Sequence, residues 1–157
     1  MKRILITGAK SFVGTSIERF LLAHNNSTDS VEPLYIIDTV DTINNAWKQA
    51  DYTKYDTVFH VAGIAHVDPK PEMAPLYYKI NRDLAIEVAK YAKEHGVKQF
   101  IYMSSKIVYH ASKSLNGDIV TKETVPNPND FYGDSKLQAE KGLKELACNT
   151  FKIAIIR

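Results

Sequence analysis

Cysteine is almost absent from this 157-residue chain: Cys148 stands alone, so no disulfide can close within it, and the composition suits a reducing compartment such as the cytoplasm. Long apolar runs are missing too. None approaches the roughly 20 residues that a membrane-spanning helix needs. The run Ile4-Leu-Ile6 after Met1-Lys-Arg3 ends before Gly8, which is too short for the core of a signal peptide. Charge of one sign is scarce: a net charge of +2, with acids scattered among the bases, leaves no footprint for nucleic acid or for a membrane surface. No cluster of His, Cys and Asp has metal-ligand spacing, so no metal is expected. No serine sits in a nucleophile elbow, so acyl transfer is not indicated. There is no internal repeat and no low-complexity tract. What remains, 45% hydrophobic and 24% charged, is the composition of one globular domain, 1–157, with a full core.

Against that background the N-terminus stands out. Lys2-Arg-Ile-Leu-Ile-Thr7 reads as a short buried strand and leads directly into Gly8-Ala-Lys-Ser-Phe-Val-Gly14. Ile17, Phe20, Leu21 and Leu22 then recur at helical spacing. In a strand–turn–helix context Gly8 allows the tight turn, Gly14 lets the helix pack on the strand, and the helix start offers N–H groups to a pyrophosphate. The position usually held by the middle glycine is Ser11, small enough to let a phosphate approach.

Further along, strands and helices alternate, which predicts an α/β fold with a parallel sheet covered by helices on both faces. Strands are expected at 3–7, 34–37 ending in Asp38, 56–61, 98–103 and 151–156, and helices at 12–24, 78–95 and 132–146. Leu84, Val88 and Ala92 form one apolar stripe, and Gly96 stands in a C-cap position. His24 to Ser30 reads as a polar loop and Asp118 to Asp130 as turn-rich. The stretch between Asp38 and Asp56 is short for a doubly wound unit: Asp41 to Ala50 has room for a helix around Trp47 but hardly for another strand. The chain stops at Arg157, directly after a buried-strand pattern, and a fragment is expected.

Near the C-terminal end lies Tyr132-Gly-Asp-Ser-Lys136. A tyrosine and a lysine four apart share a helix face, where an ammonium can lower the phenol from its ordinary value of about 10 and make it a general acid or base. Ser104 and Ser105 close a strand. Successive strand residues point to opposite faces, so only one of the two can face a substrate.

These motifs, Thr7 to Gly14, Asp56 to Gly63, Asn81 opening a helix, Ser104 to Tyr109, Tyr132 to Lys136 and Ile155 to Arg157, resemble in order the extended short-chain dehydrogenase/reductase superfamily. The branch is that of NAD-dependent epimerases and dehydratases of the UDP-glucose 4-epimerase type, and the match covers its N-terminal part. The resemblance implies a Rossmann-type doubly wound sheet without the C-terminal substrate domain. It implies a catalytic set in which Tyr132 moves the proton of a sugar hydroxyl, Lys136 holds the nicotinamide ribose and lowers the phenol, and Ser105, selected by counting back four from Tyr109, orients the reacting oxygen. It puts Gly8, Ser11, Phe12, Val13 and Gly14, then Val61, Ala62 and Gly63, and Asn81 with Tyr132 and Lys136, around the cofactor NAD. It also implies a nucleotide-sugar substrate and a homodimer through helices 79–95 and 132–147.

Asp38, the acid expected at the end of the second strand, is the candidate for the adenosine ribose, with Asp41 as its rival; no arginine follows, which favours NAD, although Lys10 could reach a 2′-phosphate. His60 is expected to be packed rather than catalytic, and His66 and Asp68 to lie in a solvated loop. Tyr77, Tyr78 and Tyr109 read as core or cleft-wall aromatics, and Cys148 as inert. The expected reaction is epimerisation or dehydration of a nucleotide-sugar. The alternatives are an NAD(P)H-dependent carbonyl reductase and a non-catalytic cofactor sensor of the same fold. With the cleft half-built, the chain by itself is expected to be inactive.

Overall fold

Five short strands rich in Ile, Val and aromatic residues pair into one sheet, all parallel, in the order β2-β1-β3-β4-β5. They are β1 (Lys2–Thr7), β2 (Tyr35–Val40), β3 (Thr57–His60), β4 (Gln99–Met103) and β5 (Lys152–Ile156). A computed structural model describes residues 1–26, 32–65, 70–109 and 119–157; His66 and Asp68 lie outside them, as does part of the loop expected at 24–30. Helix α1 (Phe12–Asn26) links β1 to β2. Helices α2 (Ala74–Tyr77) and α3 (Leu84–Glu94) lie between β3 and β4, and α4 (Phe131–Leu146) lies between β4 and β5.

The α/β class and the parallel sheet expected from the sequence are what the chain forms. The sheet's alternation divides its side chains between two faces. Leu5, Val58, Phe100 and Tyr102 join a buried cluster with Ala85, Val88, Ala89 and Ala92 of α3 and Ala139 and Leu143 of α4. Small residues bring these helices close: a Cβ on Gly142 of α4 would sit 2.5 Å from Cδ1 of Ile86 on α3. Ile6 and Phe59, one position along from Leu5 and Val58, are also buried and belong to the opposite face.

Two boundaries differ from expectation, and the helix foreseen around Trp47 takes a tighter form. Strand β2 does not end at Asp38. The β-branched Thr39 and Val40 continue it, pairing Thr39 with Ile6 and Val40 with Thr7. The stretch around Trp47 is a 3-10 helix, Ile43–Gln49, kinked where Asn44 and Asn45 adopt left-handed φ of 54° and 57°; no strand intervenes before β3. The helix expected at 78–95 is interrupted by a π-helical turn, Tyr78–Asp83, that carries Asn81. Gly96 ends α3 with a φ of +81°, as a C-cap glycine does.

The order of strands sets the place of function. From β1 the chain crosses to β2 on one side and later returns to β3 on the other. The crevice beyond the carboxyl ends of β1 and β3 is therefore the topological switch point where open α/β sheets bind ligands. Gly8 follows β1 there, and Val61, Ala62 and Gly63 follow β3.

Candidate active site

Two clefts, of about 400 and 600 Å³, open at this point and share Ser11, Val61, Gly63 and Ile64 as a common wall. The glycines are required by contact. Gly8 has φ +100°, and a Cβ on it would meet the Ala62 backbone nitrogen at 2.8 Å. A Cβ on Gly14 would come within 2.9 Å of Ser11 Oγ and 3.0 Å of the Gly8 carbonyl oxygen. Ser11 has a role its size alone does not reveal. It caps α1, its Oγ accepting the Gly14 N–H at 3.0 Å. The earlier N–H groups of the helix start, on Phe12 and Val13, have no partner within the helix and lie at the cleft wall. A turn of this shape, with backbone donors at a helix start, fits a pyrophosphate.

At the other end of the 400 Å³ cleft stand Tyr132 and Lys136, on the first turns of α4. Asp130 caps this helix, its carboxylate accepting the Gly133 N–H at 2.6 Å. Ser105 follows β4 by two residues; its Oγ accepts the Ile107 N–H at 3.3 Å, and its hydroxyl acts to lower the Tyr132 phenol. Its neighbour Ser104 donates to the buried Glu140 at 2.6 Å. Both serines lie beyond β4, so strand alternation does not divide them, and Ser104, which the sequence reading set aside, is the one that lines the 400 Å³ cleft. Lys136 is buried, donates to the Met103 carbonyl at 3.0 Å and lies 4.8 Å above the Tyr102 ring. Gly63 makes room for it: a Cβ there would sit 3.1 Å from Lys136 Nζ and 2.9 Å from Asn81 Oδ1.

The electrostatics differ from the sequence expectation in one respect. Burial holds the Tyr132 phenol above its ordinary value, while the Ser105 hydroxyl pulls it down. Lys136 is not among the groups that move it, because the ammonium is turned toward the Met103 carbonyl rather than toward the phenol. Burial also pushes the lysine itself down to about 8, against the opposing pull of Glu140. His60 is packed, as expected. It is fully buried, with Nδ1 2.7 Å from the Thr7 hydroxyl and its ring stacked on Phe100 and Tyr102.

Other expected residues are placed differently. Asn81 is buried and its side-chain amide is committed to main chain: Oδ1 accepts from Ile64 N–H at 2.9 Å and Nδ2 donates to the Ile64 carbonyl at 3.1 Å. It holds the segment beyond Gly63 rather than lining either cleft. Asp38, inside β2, accepts the Tyr55 hydroxyl at 2.8 Å and does not line the clefts; Asp41, just past the strand, lines the 600 Å³ cleft beside Lys10. Tyr77 is a core aromatic whose ring meets that of Tyr132 edge-on at 5.7 Å. Tyr78 instead ties the π-turn to α4 through Asp134 at 2.6 Å. Cys148 is exposed, and hydrogen bonding with Thr150 holds its thiol below the ordinary value. Ile64, Ala65 and Met103, which line the 400 Å³ cleft, escaped the sequence reading; their adjacency to Gly63 and to Ser104 was the available signal.

Comparison with known proteins agrees with this geometry. The model of the NAD dependent epimerase/dehydratase family matches residues 4–157. A UDP-glucose 4-epimerase from Vibrio cholerae is 32% identical over 167 residues, covering 99% of this chain and 51% of that protein. Among solved structures, a UDP-glucuronic acid 4-epimerase from Bacillus cereus in complex with NAD superimposes with a TM-score of 0.75 at 22% identity, over 99% of this chain and 55% of its own. A dTDP-4-dehydrorhamnose reductase from Bacillus anthracis in complex with NADP gives 0.71 at 26% identity, over 99% and 53%. The chain spans about half the length of the relatives it matches. With a Rossmann-type sheet, a glycine turn at its switch point and a family match over nearly all its residues, the chain belongs to the NAD-dependent epimerase/dehydratase family.

Proposed function

We propose that the chain is the nucleotide-binding part of an epimerase or dehydratase that acts on a nucleotide-sugar, with Ser105, Tyr132 and Lys136 as its catalytic set. The observation that carries this reading is that Tyr132 and Lys136 line one cleft with the glycine turn, while the Ser105 hydroxyl acts on the Tyr132 phenol. Gly8, Ser11, Phe12, Val13 and Gly14 hold the pyrophosphate of NAD, with Val61, Ala62 and Gly63 as the opposite wall, while Asn81 acts by fixing that wall. Bound there, NAD supplies reversible hydride acceptance. Tyr132 takes the proton of the sugar hydroxyl as its carbon is oxidised and returns it on reduction, and Ser105 hydrogen-bonds the same oxygen. Lys136, charged below about pH 8, has donors beyond the one given to Met103 with which to hold the nicotinamide ribose. At the other end of the groove Asp41, rather than Asp38, accepts the adenosine ribose hydroxyls.

A second reading, an NADPH-dependent reductase, is favoured by one observation: Lys10 lines the same cleft as Asp41 and offers a cation to a 2′-phosphate. A cofactor sensor has no use for the assembled serine, tyrosine and lysine. The exposed thiol of Cys148 suits a cytoplasmic setting. Helices 79–95 and 132–147, packed side by side through Gly142 and Ile86, present the surface through which two copies would pair.

Calorimetric titration of the folded chain with NAD and NADP tests the cofactor assignment: preference for NAD supports it, and preference for NADP moves the assignment to the reductase. Tyr132→Phe tests the chemistry. Placed in a full-length enzyme that contains this part, it is expected to keep NAD affinity and to lower nucleotide-sugar turnover by about 10²–10⁴-fold; undiminished turnover sinks the mechanism.

A further inference from the structure

The face of α4 that carries Tyr132 and Lys136 continues for one more turn to Glu140, which is fully buried. A carboxylate so placed persists only with partners. Ser104 Oγ donates to it at 2.6 Å, and Arg157, just beyond β5, donates from Nε at 3.0 and 3.2 Å and from Nη2 at 2.5 Å. Arg157 in turn meets the Tyr109 hydroxyl and lies 5.1 Å over that ring. At the end of β4, Lys136 donates to the Met103 carbonyl and Glu140 accepts from Ser104, while the hydroxyl of the next residue, Ser105, acts to lower the Tyr132 phenol.

We propose that Glu140 is a positioning residue of this site: through Ser104 it fixes the strand end that presents Ser105 to Tyr132, and it supplies the buried counter-charge to Lys136, while Arg157 holds the carboxylate in place. The proposal rests on reading Ser105, Tyr132 and Lys136 as the catalytic set, but its test requires no turnover. The other groups facing Lys136 carry no charge near neutral pH. Tyr102 on β4 and Tyr132 on α4 are phenols held above their ordinary value by burial, His60 on β3 is pushed down to about 3, and Asn81 on the π-turn is an amide. Glu140 is left as the negative charge that opposes the effect of burial on the ammonium.

Reductive methylation with 13C-formaldehyde gives each lysine an NMR signal whose pH midpoint can be followed, and loss of one signal in Lys136→Arg assigns it. The Lys136 midpoint is expected near 8 in the unsubstituted chain and about 1 pH unit lower in Glu140→Gln. Ser104→Ala, which breaks the tie to the strand and keeps the charge, is expected to leave the midpoint in place and to weaken the Ser105–Tyr132 contact, read as a shift of the Tyr132 ring resonances. A folded Glu140→Gln with an unchanged midpoint overturns the proposal, as do Tyr132 resonances unmoved by Ser104→Ala. Should Glu140→Gln not fold, the unsubstituted chain labelled at glutamate carboxyls decides. The Glu140 signal must show an inflection at the Lys136 midpoint, and a featureless trace there overturns the proposal equally. Failure of the catalytic reading shows elsewhere, as turnover that survives Tyr132→Phe with these titrations intact.

Discussion

A carboxylate at the ribose end of a dinucleotide cleft accepts two hydroxyls and repels a 2′-phosphate, so its position decides cofactor choice. The side chain suited to this is Asp41, half-buried at the cleft beside Gly8 and Lys10; Asp38 is occupied by Tyr55 and lies near Lys54 at 4.0 Å. Asp41→Asn is expected to weaken NAD binding about tenfold, the value of one hydrogen bond to a charged group, and to narrow the preference over NADP. Asp38→Asn is expected to leave NAD affinity within about twofold. Calorimetry on both variants checks this, and the reverse order of effects would restore Asp38. What was legible at this scale followed from a fixed period: four residues put Tyr132 and Lys136 on one helix face. Strand parity does not reach the serine pair, which lies past the end of β4. Which acid borders the cleft was not legible because it depends on where a strand ends. Thr39 and Val40 pair as well as Ile36 and Ile37 do, and nothing local stops the strand at Asp38.

The elements owe their accuracy to their ends. Helix α4 begins where Asp130 satisfies the Gly133 N–H, and Tyr132 lies within that first turn. Asp130→Ala is expected to cost about 1 kcal/mol in urea unfolding, as loss of an N-cap does. Because fraying there loosens Tyr132 more than Lys136, one turn further in, the same variant is expected to lower turnover more than NAD affinity. Equal losses in both would mean that the whole helix, not its first turn, had moved. The glycine turn and the cap were readable from the residues that form them. The π-turn was not, since its cause is tertiary. Asn81 is drawn inward by its bonds to Ile64, and its carbonyl, accepting the Tyr102 hydroxyl at 3.0 Å, is tied to β4 from outside the helix. The missing strand between β2 and β3 was foreseeable from length alone, whereas the left-handed Asn44 and Asn45 that fill the gap were not.

For the molecule as a whole, the two buried bases in the sheet's crevice tie stability to pH. His60, fully buried, is pushed down to about 3 from an ordinary 6.5. Between those values the unfolded chain binds a proton that the folded chain refuses. Its contribution is therefore complete above pH 6.5 and is lost as the pH falls toward 3, by roughly 5 kcal/mol at most. Lys136, pushed down to about 8 from 10.5, has the same sign at higher pH: below 8 the folded state carries the full cost of a buried ammonium, and stability rises as pH climbs from 8 to 10.5. A buried lysine that stays charged near neutrality thus costs the fold stability. Urea unfolding between pH 4 and 7 is expected to show a steep acid-side fall that flattens in His60→Asn, whose amide can still meet the Thr7 hydroxyl. Lys136→Met is expected to remove the rise above pH 8 and to raise stability at pH 7. If both slopes persist in these variants, the buried bases are not what couples this fold to protons, and the cost assigned to the charged lysine falls with them.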